Sequence, residues 1–154
     1  MKILIVSDSH GNTNAILSVI NKELPDYIIH LGDGVNDTSA IKAKYPDIPL
    51  RAVKGNCDYL CNLSETEVFI LCDKKFLITH GHLFYVKSSL SRLVDYANEQ
   101  KCDIVLFGHT HRSHKEDVNG ILFVNPGCIG FNHNKRYAVI ELVEDRVTCE
   151  LLSV

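Results

Sequence analysis

Short apolar segments, each followed at once by a side chain that can bind a metal ion, constrain the fold of this chain more than any other feature. Such segments are typical of strands that are buried on both faces of a parallel sheet. Ligands of such sheets lie just beyond the carboxyl ends of the strands, so we expect these polar groups to meet at one edge. The segments and their polar ends are Ile3–Val6 with Asp8 and His10, Ile28–Leu31 with Asp33, Leu50–Val53 with Asn56, Phe76–Ile78 with His80, and Ile104–Phe107 with His109 and His111.

The periodicity of the chain predicts two strand–helix units and a third strand, followed by hairpins and one further helix. Asn119-Gly120, between two alternating segments, is the clearest hairpin signal. Because the strands outnumber what one sheet holds with so few helices, we expect an α/β fold of two stacked sheets with helices outside. No linker or repeat interrupts residues 1–154, which predicts a single domain. The predicted helices are 12–23, 37–44 and 88–100, and the predicted strands are 3–6, 27–31, 50–53, 67–71, 75–79, 104–107, 114–118, 121–125, 136–143 and 146–152.

Composition and charge exclude several classes of function. A net charge of −3 provides no basic field for long nucleic acid or an acidic membrane. No apolar stretch approaches the roughly 20 residues that span a bilayer, and the apolar N-terminal stretch ends at Ser7, shorter than a signal peptide requires. We therefore expect a cytoplasmic protein. The scattered cysteines agree with a reducing compartment, and Cys72, Cys102 and Cys149 are expected to be buried thiols.

The polar strand ends together offer two carboxylates, one amide oxygen and four imidazoles, enough for two metal ions side by side. Mixed oxygen and nitrogen donors suit Mn, Fe, Ni, Co or Zn and disfavour Mg or Ca. Taken alone, Asp8 could cap the following helix, and Asp33 or Asn56 could serve a turn. His109 and His111 alternate on a segment expected to be extended, which would point both imidazoles the same way.

Separate sequence blocks carry these residues in a fixed order. They are Asp8-Ser9-His10, Gly32-Asp33, Gly55-Asn56, Thr79-His80-Gly81-His82 and Gly108-His109-Thr110-His111, with Asn125-Pro126-Gly127 beyond. With this set the chain resembles the calcineurin-like metallophosphoesterase superfamily, and its length most resembles the small bacterial and archaeal phosphodiesterases without a cap. The resemblance implies a four-layer α/β/β/α sandwich of two mixed sheets, with a two-metal centre between the strand ends. It assigns Asp33 as the bridging ligand, Asp8, His10 and His111 to the first metal, and Asn56, His80 and His109 to the second.

A two-metal centre suits phosphoester hydrolysis. Two ions about 3.5–4 Å apart turn a bridging water into hydroxide and neutralise the phosphoryl oxygens. Two divalent ions, two carboxylates and one hydroxide leave about one positive charge, which a singly charged phosphodiester would neutralise. We therefore expect hydrolysis of a small phosphodiester without a covalent intermediate, with manganese favoured over Ni, Co, Fe or Zn. Asn56 would bind a metal and contact the phosphate.

One position departs from the family pattern. Many members of the superfamily carry a histidine directly after the metal-binding asparagine, and that histidine assists the leaving group. Here Cys57 occupies the position, followed by Asp58. A thiol with a pKa near 8.5 is a poor acid at neutral pH, so His82 or a metal-bound water is the candidate acid. Asp58 is open between orienting a neighbouring group and capping a turn. The remaining histidines are expected in the core for His30 and at the surface for His114 and His133.

Two other functions remain open. A eukaryotic retromer subunit has this fold and is regarded chiefly as a scaffold, so the fold alone does not settle the function. A scaffold would be expected to lose metal ligands, whereas every matching position is filled here. The apolar segments 84–86 and 129–131 could line a substrate cleft, a partner surface or a contact in a homo-oligomer. The other alternative is a phosphomonoester substrate. Motifs of nucleoside-triphosphate, dinucleotide and serine-hydrolase sites are absent from the sequence.

Overall fold

The computed structural model describes residues 1–131 and 134–154. Within these ranges the chain forms strands, α-helices and one short 3₁₀ helix, and none of the helices has the length and hydropathy needed to cross a membrane. In chain order the elements are β1 Lys2–Val6, α1 Thr13–Glu23, β2 Tyr27–His30, α2 Asp37–Lys44, β3 Leu50–Ala52, β4 Thr66–Leu71, β5 Lys74–Thr79, the 3₁₀ helix His82–Phe84, α3 Ser91–Glu99, β6 Ile104–Phe107, β7 His114–Val118, β8 Ile121–Asn125, β9 Arg136–Val143 and β10 Arg146–Ser153.

The strands form two five-stranded mixed sheets. The first has the order β10-β9-β1-β2-β3, in which β1, β2 and β3 are parallel and β9 runs antiparallel to both β1 and β10. The second has the order β4-β5-β6-β8-β7, in which β5, β6 and β8 are parallel and the two edge strands are antiparallel. Each sheet therefore has a parallel centre, as the continuously apolar segments predicted.

Three clusters of apolar side chains define four layers. Between the sheets, Ile3 and Ile5 of β1 pack in the same cluster as Phe76 of β5. Their neighbours Leu4 and Val6 point the other way and pack beneath α1 and α2. A third cluster places α3 on the outer face of the second sheet. Because β1 is covered on both faces, every one of its core positions must be apolar. The predicted α/β/β/α sandwich is confirmed.

The third helix starts later than predicted. The prediction began it at Ser88, whereas α3 begins at Ser91. The preceding segment first forms the 3₁₀ helix and then reverses at Tyr85, whose φ is 56°. The carbonyl of Tyr85 accepts the amide protons of Ser88 and Ser89. The amide of Ser91, which a helix beginning at Ser88 would donate to the carbonyl of Lys87, donates instead to Oγ of Ser89 at 3.1 Å.

The cysteines in the described part of the chain are free thiols. Cys102 and Cys149 are buried, as predicted. The prediction that Cys72 is buried was wrong, because this residue lies in the tight turn between β4 and β5 with a φ of 47° and is exposed. An apolar segment that ends in a hairpin turn exposes its last residue to solvent.

Candidate metal centre

The loops that follow the parallel strands meet at one edge of the sandwich. The amide of Asp8 donates to the carbonyl of Gly32 at 3.0 Å in the first sheet, and the amide of Gly108 donates to the carbonyl of His80 at 3.1 Å in the second. The two sheets are joined by the amide of His109, which donates to Oδ2 of Asp8 at 3.2 Å. The backbone alone therefore brings the polar strand ends together.

One triad of potential ligands consists of Asp8, His10 and His111. One ligand atom of each lies within 4.8 Å of the others. Nε2 of His111, from the second sheet, lies 3.1 Å from Oδ1 of Asp8, from the first. Oδ2 of Asp8 is already occupied by the hydroxyl of Ser7 at 2.6 Å. Oδ1 is therefore the oxygen that faces the other two members of the triad.

A second triad consists of Asp33, His80 and His109, again with one ligand atom of each within 4.8 Å of the others. Nε2 of His80 lies 3.4 Å from Oδ2 of Asp33 and 3.2 Å from Nδ1 of His109. The two triads are adjacent, because His10 of the first and Asp33 of the second also share a cluster with Cys57. The structure thus brings six of the seven predicted ligands into two neighbouring groups.

The donor atoms fit a divalent transition metal. Nε2 of His10 is buried and has no hydrogen-bond partner in the described part of the chain. Most buried polar atoms in proteins have such a partner. Nδ1 of His80 lies 2.8 Å from the carbonyl oxygen of Leu31, an arrangement that places the proton on Nδ1 and leaves the lone pair of Nε2 free for a metal.

The backbone at the centre is left-handed, contrary to the prediction of an extended segment at His109 and His111. Their φ angles are 68° and 58°, and those of Asp8, His10 and Asp33 are 55°, 46° and 53°. Aspartate and histidine are among the few residue types enriched in this region. Residues in this conformation turn the chain sharply, so the two histidines reach different triads although only Thr110 separates them in the loop.

Without metal, protons on histidine balance the buried carboxylates. Burial would raise the pKa of Asp8 and Asp33, but the imidazoles of His111 and His80 outweigh it, and the pKa of each carboxyl lies below its usual value. The hydrogen bond with Asp8 raises the pKa of His111, and the carboxylates raise that of His80 although burial opposes them. Burial and the charge of His80 lower the pKa of His109 to about 4. Both carboxylates are therefore ionised at neutral pH.

Two glycines make room for the carboxylates. A Cβ on Gly55 would lie 2.1 Å from Oδ1 of Asp33. A Cβ on Gly108 would lie 2.0 Å from Oγ of Ser7 and 3.0 Å from Oδ2 of Asp8. Real Cβ contacts are not as short as 2.0 or 2.1 Å, so a side chain at Gly55 would displace the carboxylate of Asp33, and one at Gly108 would displace the Ser7 hydroxyl that donates to Asp8. Close approach of the loops explains these glycines.

Comparison with known proteins decides the family. Residues 1–145 match the model of the calcineurin-like phosphoesterase superfamily domain. The chain belongs to the calcineurin-like phosphoesterase superfamily. The resemblance that the sequence blocks indicated is therefore confirmed, and the chain is a phosphoesterase of the hydrolase class.

Curated relatives of this phosphoesterase come from bacteria and archaea. It is 33% identical over 154 residues to a probable metallophosphoesterase of Bacillus subtilis, YsnB, which covers 96% of this chain and 88% of the relative. It is 32% identical over 149 residues to a phosphodiesterase of Methanocaldococcus jannaschii, covering 85% of this chain and 86% of the relative. The phosphodiesterase YfcE of Escherichia coli is 26% identical over 153 residues, covering 84% and 79%.

Solved structures share the fold over nearly the whole chain. A protein of Streptococcus pneumoniae described as a predicted phosphoesterase superimposes with a TM-score of 0.84 at 30% identity, covering 99% of this phosphoesterase and 88% of that protein. Vps29 of Entamoeba histolytica in complex with Zn²⁺ gives a TM-score of 0.78 at 22% identity, covering 99% of each chain. At that identity the similarity to Vps29 shows the fold alone.

Asp58 joins the two loops that carry Asp33 and Asn56. Its Oδ2 accepts the amide protons of Asp33 and Gly55, each at 2.8 Å. Its Oδ1 accepts those of Gly34 at 2.9 Å and Val35 at 3.0 Å. The sequence left the role of Asp58 open, and the structure shows that it orients neighbouring groups. The sequence signal for this role was the position of Asp58 two residues after Asn56. Most of its hydrogen-bond partners lie in the distant loop that carries Asp33, so the signal alone did not identify the role.

His30 is a buried part of a polar network behind the first triad, as predicted. Its Nδ1 accepts the amide proton of Gly32 at 3.2 Å, so its Nε2 carries the proton and donates to Oγ of Ser9 at 3.0 Å. Ser9 in turn donates to Asp37 at 2.6 Å. Burial lowers the pKa of His30, which keeps the imidazole neutral and this order of donors fixed.

Within the described residues His82, the candidate acid, belongs to neither triad, and Asn56 is the remaining candidate ligand. Asn56 is exposed, and its amide nitrogen contacts Sγ of Cys57 at 3.4 Å. The ring of His82 lies 6.1 Å from that of His109, and its Nε2 lies 3.6 Å from Oε1 of Glu65. Burial and the charge of His80 lower the pKa of His82, so the imidazole is neutral at pH 7. That His82 is the general acid stays a prediction from the sequence.

The other two histidines were predicted to lie at the surface. His114 has a side chain that is 38% exposed, and its Nε2 lies 3.2 Å from Oε2 of Glu116. His133 lies outside the described residues.

Phe131 lies against the first triad. Its ring stacks on that of His10, with centroids 4.8 Å apart and an angle of 24° between the planes, while the residue is 71% exposed. The preceding residue, Gly130, is tied to the loop after β1, since its amide donates to the carbonyl of Asp8 at 3.1 Å. Of the uses left open for the segment 129–131, the structure favours a position at the cleft.

Cys57 is exposed, yet we expect its thiol to react slowly. Burial of the sulfur, its hydrogen bond with Asp33 and the charge of that carboxylate raise the pKa of Cys57 to about 11. The thiolate, which is the reactive form, is therefore scarce at pH 8. We expect the rate of iodoacetamide labelling of the metal-free protein at Cys57 to rise about tenfold per pH unit up to pH 10. Peptide mass spectrometry measures this rate, and a plateau by pH 9 would contradict a pKa of about 11 for Cys57.

Proposed function

We propose that this phosphoesterase is a phosphodiesterase that works through a dinuclear metal centre on a small phosphodiester. The observation that carries the proposal is the pair of adjacent triads, each with one ionised carboxylate and two imidazoles. The two triads supply equivalent donor sets for two ions. The stability of the sheet edge alone does not require carboxylates and imidazoles to cluster in this way. Asn56 precedes Cys57, whose amide donates to Asp33, and it would complete the ligands of the second ion and contact the phosphate.

Asp33 and Asp8 have different roles in the proposed metal centre. Asp33 lies between the triads, and because its Oδ1 accepts the amide proton of Cys57 at 2.8 Å, Oδ2 is the oxygen we propose to be shared. Asp8 presents Oδ1, since Ser7 holds Oδ2. When bound, two divalent ions would supply an activated water and positive charge opposite the phosphoryl oxygens. We propose manganese as the preferred ion.

Charge favours a diester over a monoester. Two divalent ions with two carboxylates and an ionised water leave about one positive charge, which matches a singly charged phosphodiester. The net charge of −3 gives no support for binding long nucleic acid. A cytoplasmic location, a single domain and a homo-oligomer remain predictions from the sequence.

Removing and restoring metal tests this function. We expect the metal-free protein to leave bis(p-nitrophenyl) phosphate intact, and about two manganese ions per chain to restore its turnover at a higher rate than that of p-nitrophenyl phosphate. Nickel, cobalt, zinc and magnesium, added in parallel, rank the ions. Metal binding without turnover of either ester would favour the scaffold alternative. Faster turnover of the monoester would make the protein a phosphomonoesterase.

A further inference from the structure

A second pocket lies next to the candidate metal centre. It has a volume of about 590 Å³, and its base is formed by Val86, Leu90 and Phe107. Its wall includes Thr110, the residue between His109 and His111. Consecutive Cα atoms across a trans peptide are about 3.8 Å apart, so this wall and the two ligand positions are immediate neighbours. The polar side chains that line the pocket are Lys87, Ser89, Thr110, Arg112, Ser113 and His114.

The lining of this pocket is positive although the chain as a whole is negative. Lys87 and Arg112 are both exposed, and within residues 1–131 and 134–154 neither has a carboxylate within 4.0 Å. The lining residues include no aspartate or glutamate. Among the lining residues, His114 has an acidic neighbour, since its Nε2 lies 3.2 Å from Oε2 of Glu116. Two cations thus remain free to bind an anion.

The pocket adjoins both triads. Thr110 lines the pocket, and its neighbours in the chain, His109 and His111, belong one to each triad. An anion that extends from the centre into the pocket would therefore lie in one continuous positive field. A guanidinium group suits the oxygens of a phosphate, because arginine can donate two parallel hydrogen bonds to them.

We infer that this pocket binds a second phosphate group of the substrate, so that the preferred phosphodiesters carry an additional phosphate. This inference rests on the proposed phosphodiesterase function. The centre itself matches the single charge of a diester, and the two cations of the pocket match the charge of a terminal phosphate.

Two chromogenic substrates that differ by one phosphate test the inference. Both are p-nitrophenyl esters of thymidine 5′-phosphate, and one of them carries a further phosphate on the 3′-oxygen. With manganese at low ionic strength, we expect kcat/KM to be about tenfold higher for the substrate with the 3′-phosphate. The ratio of kcat/KM with the 3′-phosphate to kcat/KM without it should approach one in the double variant Lys87→Ala with Arg112→Ala. The same ratio should fall for the wild type when salt is added.

A matched variant separates a local effect from a general loss of charge. The double variant Lys44→Ala with Arg146→Ala removes two cations from α2 and from the β9–β10 hairpin, and its ratio should equal that of the wild type. A wild-type ratio near one, or an unchanged ratio in the Lys87 and Arg112 variant, would overturn the inference while leaving the phosphodiesterase intact. Turnover of neither ester would instead contradict the proposed function.

Discussion

Replacing Asp33 with asparagine should reduce manganese-dependent turnover of bis(p-nitrophenyl) phosphate to the background of a metal solution. The side chain is buried between the triads, and Oδ2 is the only oxygen we propose to be shared by both ions. An amide at this position removes one of two carboxylates and presents either a weaker oxygen or an NH₂ group. Loss of a partner outside the ligand shell of a metal costs roughly 10–100-fold, and loss of a shared ligand should exceed this. Titration calorimetry should also show fewer than two ions bound.

The variant has an independent spectroscopic signature. In the metal-free protein, burial acts to lower the pKa of His80, and the carboxylates of Asp33 and Asp8 raise it above the usual value. NMR titration of Asp33→Asn should therefore show a lower pKa for His80 than in the wild type. Asp117→Asn is the matched control, because that carboxylate accepts one amide proton in a hairpin away from the centre. If folded Asp33→Asn retained most of the turnover, Asp33 would not be a ligand shared by the two ions.

Replacing Asp58 with asparagine should weaken metal binding and turnover by roughly 10–100-fold, although Asp58 belongs to neither triad. Its carboxylate accepts four amide protons from two loops. An asparagine oxygen can accept two of them, but its NH₂ group would face the other donors. The loop of Asp33 should then move relative to Gly55. Each unsatisfied donor also lowers the free energy of unfolding by on the order of 1–3 kcal/mol.

Kinetics and thermal unfolding together distinguish positioning from a loss of folded protein. We expect kcat of Asp58→Asn to stay low at saturating manganese at a temperature where circular dichroism shows the fold intact. Asp103→Asn is the control, since this carboxylate accepts one amide proton of Lys75 at 2.7 Å on the exposed side of the second sheet. That control should stay within about twofold of the wild type. If Asp58→Asn lowered only the melting temperature, the residue would be structural and without influence on the centre.

Most of the fold could be predicted because the sequence repeats the same physical constraint. β1 is apolar at Ile3, Leu4, Ile5 and Val6 since each of its faces is covered by a different layer. The hairpin at Asn119 and Gly120 followed from two residues that tolerate a positive φ, and both adopt one, at 56° and 81°. The order of strands within each sheet depends on contacts between distant segments, which no local pattern encodes.

The site was predictable by residue type and less so by conformation. Asp8 and His111 could be named because both follow apolar strands, but their left-handed backbone depends on how the loops meet. The role of Asp58 was hidden for the same reason, since its amide partners come mainly from a loop more than twenty residues earlier. The pocket beside Thr110 has no sequence signal either, because Lys87 and Arg112 come from separate loops.

The left-handed backbone at five of the six clustered ligands has a consequence for how the protein acquires its ions. Each such residue costs on the order of 1–3 kcal/mol, which the packing of the two sheets offsets during folding. The loss of conformational entropy on ordering the ligand loops therefore occurs during folding, before any ion binds. Metal binding then does not have to order the chain, so every divalent metal encounters the same preorganised ligand geometry. Which ion occupies it in the cell should follow the relative supply of metals as much as the preference of the ligands.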